Sequence, residues 1–206
     1  MCYKAVKTNE LDIAIDSREW ERANVAVLGV HRWQMYAKPP YTEARVLCTK
    51  TGVYVRMHSE EKHLRMQCKA HNGRVCEDSC MEFFFTPGTV SKSYMNFEIN
   101  PLGTVHLGLG EGRGGRTPIP PELFHLFHIE TATSYDGWTA KFFLPYAFLQ
   151  TYFGALAPTW RCNFYKCGDK TEHPHYGTWR EVKTDAPDFH QSEFFGTMML
   201  EGGTVK

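Results

Sequence analysis

Two acids sit where the sequence otherwise reads as buried strand. Cys76-Glu77-Asp78-Ser79-Cys80-Met81-Glu82-Phe83-Phe84-Phe85 and Tyr94-Met95-Asn96-Phe97-Glu98-Ile99-Asn100 each set a carboxylate among aromatic and aliphatic residues. A carboxylate in a β-run must offset its desolvation with a partner, a metal or a ligand. Glu82 and Glu98 fall on neighbouring candidate strands, so their side chains can approach one another. Such a pair suits hydroxyl binding, and it also suits the acid and base of glycoside hydrolysis, where retaining enzymes hold the groups about 5 Å apart. The plainer alternative makes one a rim charge and pairs the other with Arg45 or Arg56.

Aromatic and amide residues extend the same chemistry. A ring face stacks on the C–H face of a sugar, while carboxylates, Asn and Gln bind its hydroxyls. Glu82, Asn96, Asn163, Trp179 and Phe189 make such a set, with Glu98 as a further hydroxyl binder and Tyr165 and His190 at the rim. Trp179 and Phe189 fall in a turn-rich segment where exposure is expected, whereas Trp138 reads as core and Trp20 as packing an N-terminal segment onto the domain.

Other chemistries find less support. Cys76 and Cys80 are four apart and Cys162 and Cys167 five apart, neither with C-x-x-C spacing, and Cys80 reads as a core thiol. Gly108 to Gly115 is glycine-rich, but Arg116-Thr117-Pro118 follows in place of a helix, so a surface loop over 110–121 is expected rather than a phosphate cradle. The histidine clusters at 125/128 and 173/175 lack a recognisable nucleophile or zinc-protease context.

These residues need a β framework. Strand patterns at 44–48 and 53–58 flank a turn at Lys50-Thr51-Gly52, and those at 94–100 and 104–109 flank Asn100-Pro101-Leu102-Gly103. Further strands are predicted over 79–85, 128–133, 138–144, 159–167 and 195–201, and one short helix over 145–153, from Pro145 to the stop at Gly154. The series predicts an all-β fold, an antiparallel β-sandwich of jelly-roll or immunoglobulin-like type, in a single domain over 1–206. Aromatics at 14% suit that core. The balance of 23 basic and 23 acidic residues argues against a nucleic-acid or membrane-surface partner held by charge. Seven cysteines and an N-terminus without an apolar signal region predict reduced thiols and a cytoplasmic monomer, or an extracellular one had a signal been removed.

In order and spacing, the segments Glu77 to Phe84, Tyr94 to Asn100, Gly137-Trp138-Thr139-Ala140, Trp160 to Tyr165 and Pro187-Asp188-Phe189-His190 through Phe195-Gly196 resemble the family 9 carbohydrate-binding modules. The resemblance is closest to the bacterial branch often labelled "carbohydrate-binding family 9-like" and runs from about Asp12 to Leu200. It implies a β-sandwich that binds carbohydrate without catalysis, possible roles in carbohydrate catabolism, and a glycan-end sugar clamped between two tryptophans. Glu82 falls on that family's sugar-binding glutamate, and Phe189 takes the place of one clamp tryptophan. The other clamp position maps near Val75, and a sugar-binding arginine maps to Glu98. Calcium is implied only by the resemblance, with no ligands assigned and no other cofactor expected. The competing expectations are a hydrolase using Glu82 and Glu98, and an interaction domain whose sugar site has decayed.

Overall fold

The structure, a computed structural model, describes residues 2–89 and 91–202. In chain order the strands are β1 (Cys2–Lys7), β2 (Ala26–Val27), β3 (Thr42–Cys48), β4 (Gly52–Ser59), β5 (Cys80–Thr86), β6 (Tyr94–Ile99) and β7 (Val105–Gly110). They continue with β8 (Thr117–Pro118), β9 (Glu130–Ser134), β10 (Gly137–Pro145), β11 (Thr159–Cys167), β12 (Tyr176–Thr178) and β13 (Gly196–Leu200). The helix expected after Pro145 is α1 (Tyr146–Phe153), and Gly154 closes it at a φ of 68°. Among the described residues, four short 3-10 turns, at 18–22, 75–77, 121–127 and 192–194, carried no sequence expectation.

The strands form two stacked faces. One runs β8–β7–β6–β5–β11–β13, with β12 also alongside β11; the other runs β3–β4–β10–β9, with β2 on β3. β1 belongs to both. Its residues Cys2–Ala5 pair with Thr197–Leu200 of β13, and Val6–Lys7 pair with Leu47–Cys48 of β3. A strand that changes sheets makes the corner of a sandwich. Both of its pairings are parallel, so the sheet is mixed where a wholly antiparallel one was expected.

Period-two alternation explains what fills the space between the sheets. Met81, Phe83 and Phe85 of β5, Met95, Phe97 and Ile99 of β6 and Trp160, Cys162 and Phe164 of β11 point inward. They meet Val53, Val55 and Met57 of β4 and Trp138, Ala140 and Phe142 of β10. Phe97 stacks on Phe142 across the gap with ring centres 3.9 Å apart. Trp138 is core as expected, and Trp20 seals Ile13, Leu47, Tyr54 and Phe143 on the far side of the second sheet.

The alternate residues of β5, β6 and β11 face the other way. They form the outer face of the first sheet, which loops carrying Trp33, Val75, Val182, Phe189 and Phe195 cover with a second apolar cluster. The site lies there.

Candidate functional site

Register sets the acids side by side. Glu82 is the partner of Glu98 across β5 and β6, His106 stands beyond Glu98 on β7, and Tyr165 stands beyond Glu82 on β11. Residues two apart share a face, so Cys80, Glu82 and Phe84 line up on β5, as do Tyr94, Asn96 and Glu98 on β6. Glu82 and Glu98 both border a cavity of about 500 Å³, counting its open mouth. Phe84, Cys167, Asp169, Tyr176, Phe189 and His190 share its walls, with Cys76, Arg113 and Pro187.

The two carboxylates are held on one side and free on the other. Cys167 Sγ lies 2.9 Å from Glu82 Oε1, and Asn96 Nδ2 donates to Glu98 Oε1 at 2.7 Å. Among the described residues, neither Oε2 accepts a hydrogen bond. Asn96 is itself oriented by Arg116, whose Nε donates to Asn96 Oδ1 at 2.9 Å while its other nitrogens bond the backbone carbonyls of Gly112, Tyr94 and Gly108. Arg116 also lies over the Tyr94 ring, 4.4 Å from its centre.

Burial dominates the electrostatics. It raises the Glu82 carboxyl well above the usual carboxylate range, and the neighbouring Glu98 raises it further. Burial raises Glu98 and Asp169 as well. Tyr176 and Cys76 beside Asp169 offset part of that rise. His190 goes the opposite way: burial, then the charges of Arg116 and Arg113, lowers it to about 3, so it is neutral at physiological pH. Its Nδ1 lies 2.9 Å from the Tyr94 hydroxyl. A site that holds three desolvated acids next to an exposed Arg113 offers hydrogen-bond acceptors and donors at close spacing, which is what a polyhydroxylated ligand requires.

Four of the eight residues proposed from the sequence converge on this cavity: Glu82, Glu98, Phe189 and His190. The other four do not line it. Asn96 is fully buried behind Glu98 and positions it. Asn163 donates to the Arg180 carbonyl and accepts from the Arg180 amide, so its amide staples the loop after β12 to β11. Tyr165 is buried rather than at the rim. Its ring stacks on Phe189 at 4.2 Å and 7°, and its hydroxyl donates to the Phe189 carbonyl. Trp179 is 7% exposed and packs edge-on against Tyr3 and Phe164 in the main core. Phe189, also expected to be exposed, is 7% exposed because Tyr165, Trp33 and Tyr176 surround it.

Sequence reading missed Asp169, Tyr176, Arg113, Arg116 and Trp33. The two arginines come from the glycine-rich loop expected at 110–121, which contains β8 and turns back over β7. Val75, near the absent clamp position, is fully buried in the outer cluster. Tyr176 lines the cavity instead, with its ring nearly perpendicular to that of Phe189 at 6.1 Å.

Calcium takes six to eight oxygen ligands. Among the described residues, the group of metal-ligating side chains close enough to share an ion is Cys80, Glu82 and Cys167, two sulfurs to one carboxylate. That donor set does not fit calcium.

Comparison with known proteins agrees with this architecture. A candidate carbohydrate-binding protein from Bacteroides uniformis has a similar structure, with a TM-score of 0.85 at 25% identity over 97% of this chain and 99% of that one. A family 9 carbohydrate-binding module from Caldicellulosiruptor kristjanssonii, solved with cellotriose, gives a TM-score of 0.65 at 11% identity, covering 98% of this chain and 94% of that one. The same organism's module with glucose gives 0.68 at 9% identity, covering 100% and 98%. At those identities the likeness to the two sugar-bound structures is one of fold. No match was found among curated proteins. A model of the family described as "Carbohydrate-binding family 9" matches residues 9–200, and the chain belongs to that family.

Proposed function

We propose that this protein binds carbohydrate without catalysis and that the cavity over β5 and β6 is its binding site. The observation that carries this reading is the convergence of Glu82, Glu98 and Phe189 on one open concavity. The free Oε2 atoms of the two glutamates accept hydrogen bonds from adjacent hydroxyls, Asp169 and His190 add polar contacts, and Phe189 and Tyr176 supply the apolar wall. Family membership supports the ligand class, and so do the relatives solved with glucose and cellotriose.

Glu82 and Glu98 are cross-strand neighbours on one face of the sheet, so hydrolysis by this pair is the competing reading, and the fate of a bound oligosaccharide separates the two. The polar lining of the cavity argues against a decayed site, which apolar packing would have filled.

Calorimetric titration of the chain with glucose, cellotriose and a panel of other oligosaccharides tests the proposal. Saturable binding at one site per chain is expected, with the oligosaccharide recovered intact. Phe189→Leu keeps apolar volume and removes the ring, and is expected to weaken affinity roughly three- to tenfold. A panel that yields no binding, or shortened oligosaccharides after incubation, would contradict this reading.

A further inference from the structure

Two residues of the cavity wall, Glu82 and Cys167, meet a second thiol, that of the fully buried Cys80. Cys80 and Cys167 are cross-strand partners at the end of the β5–β11 pairing, and Glu82 follows Cys80 by two residues on the same face. The sequence spacing instead grouped Cys76 with Cys80 and Cys162 with Cys167. In the fold, Cys162 points to the inner core, five positions along β11 from the Cys80 pairing, while Cys167 reaches the outer face. Ligand atoms of Cys80, Glu82 and Cys167 all lie within 4.8 Å of one another. Glu82 Oε1 is 2.9 Å from Cys167 Sγ and 3.8 Å from Cys80 Sγ.

Glu82 Oε1 and Cys80 Sγ stand about as far apart as neighbours in a metal polyhedron, while the shorter Glu82–Cys167 contact is a hydrogen bond that must open on metal binding. With sulfur at about 2.3 Å and oxygen at about 2.0 Å from tetrahedral zinc, neighbouring ligands stand roughly 3.5–3.8 Å apart. A mixed thiolate and carboxylate set suits zinc rather than calcium or magnesium. Cys167 and Glu82 border the open cavity, so an ion has a path in, and three protein ligands leave a fourth position facing that space. We infer that Cys80, Glu82 and Cys167 form a site for a thiophilic divalent cation, with zinc as the fitting ion and an exchangeable fourth ligand from the cavity. On binding, the ion displaces the protons of both thiols and of the Glu82 carboxyl. Two S–H bonds and one O–H bond break, two metal–sulfur bonds and one metal–oxygen bond form, and the protons pass to the buffer. The inference stands apart from the carbohydrate reading, because the test needs no sugar.

The chain, kept reduced with a phosphine, is titrated with Co²⁺ and then with Zn²⁺. One equivalent of Co²⁺ is expected to give sulfur-to-cobalt charge-transfer absorption, which Zn²⁺ bleaches. Cys80→Ser and Cys167→Ser are each expected to lower the absorption by about half and the affinity at least tenfold, while Cys162→Ser leaves both unchanged. Glu82→Gln keeps both thiols, so its expected roughly tenfold loss of affinity reports on the site even if the serine variants fail to fold. Absence of the band in the wild type, or unchanged affinity in Glu82→Gln, would overturn the inference. A band of undiminished intensity and affinity in folded Cys80→Ser and Cys167→Ser would do the same.

Discussion

Glu82→Ala is expected to lower affinity for any oligosaccharide that the wild type binds by about ten- to hundredfold, while the melting temperature stays level or rises. The first half follows from leaving a ligand hydroxyl without its acceptor in a buried site, about 1–3 kcal/mol, converted to a ratio of dissociation constants. Glu82 leaves Oε2 without a protein partner, so a ligand hydroxyl meets an acceptor already stripped of water. The second half follows from burial. Glu82 is 3% exposed beside a second buried acid, and burial and that neighbour both push its carboxyl toward the neutral form. Removing such a group relieves a desolvation cost that the fold alone does not recover. Loss of binding without loss of stability separates a ligand-binding acid from a structural one. Calorimetry paired with thermal unfolding reads both, and a large drop in melting temperature would mark Glu82 as structural.

Asp78→Ala is expected to do the reverse, costing about 3–5 kcal/mol of folding free energy through loss of one partner of a buried ion pair. Asp78 is fully buried, and its two oxygens are saturated by protein donors. Arg65 binds Oδ1, while the amides of Gln67 and Cys68 and the side chain of Asn100 bond Oδ2 at 2.8–2.9 Å. Alanine would leave all four donors without their acceptor. These bonds tie the 65–68 segment and the β6–β7 turn to the start of β5, so the loss falls on the frame of the site. In a chain of this size the change corresponds to a fall in melting temperature of roughly 10 °C. Denaturant unfolding checks it, and a change below about 1 kcal/mol would mean that solvent replaces these contacts.

The two acids of one segment therefore differ in kind, and the sequence distinguished them only in part. Desolvation identified Glu82 and Glu98 as groups in need of partners, because period-two patterning alone places a strand residue inside or outside. The same logic located the β3–β4 hairpin, β11 at 159–167 and the helix after Pro145. It located the turn at 100–103 too, where Gly103 takes a φ of 75°. These are local patterns, written in residues close together in the chain.

What depended on contacts between distant segments was not legible. β1 was read only for lacking a signal sequence, yet it stitches the two sheets together in parallel. Trp179 and Phe189 both follow turns, and composition could not show that one plugs the main core while the other closes the outer cluster. Asn163 has sugar-binding chemistry, but the backbone of Arg180 consumes it. The approach of Cys80 to Cys167 rests on the register of strands some eighty residues apart.

The most direct measurement of the central claim is a two-dimensional NMR titration of the assigned protein with an oligosaccharide from the calorimetric panel. Saturable shifts are expected to concentrate at Glu82, Glu98, Asp169, Tyr176, Phe189 and His190, with little change at Asn163 and Trp179. Saturable shifts that instead centred on another surface, such as the groove lined by Glu60, His63 and His173, would contradict the assignment of this cavity as the carbohydrate site.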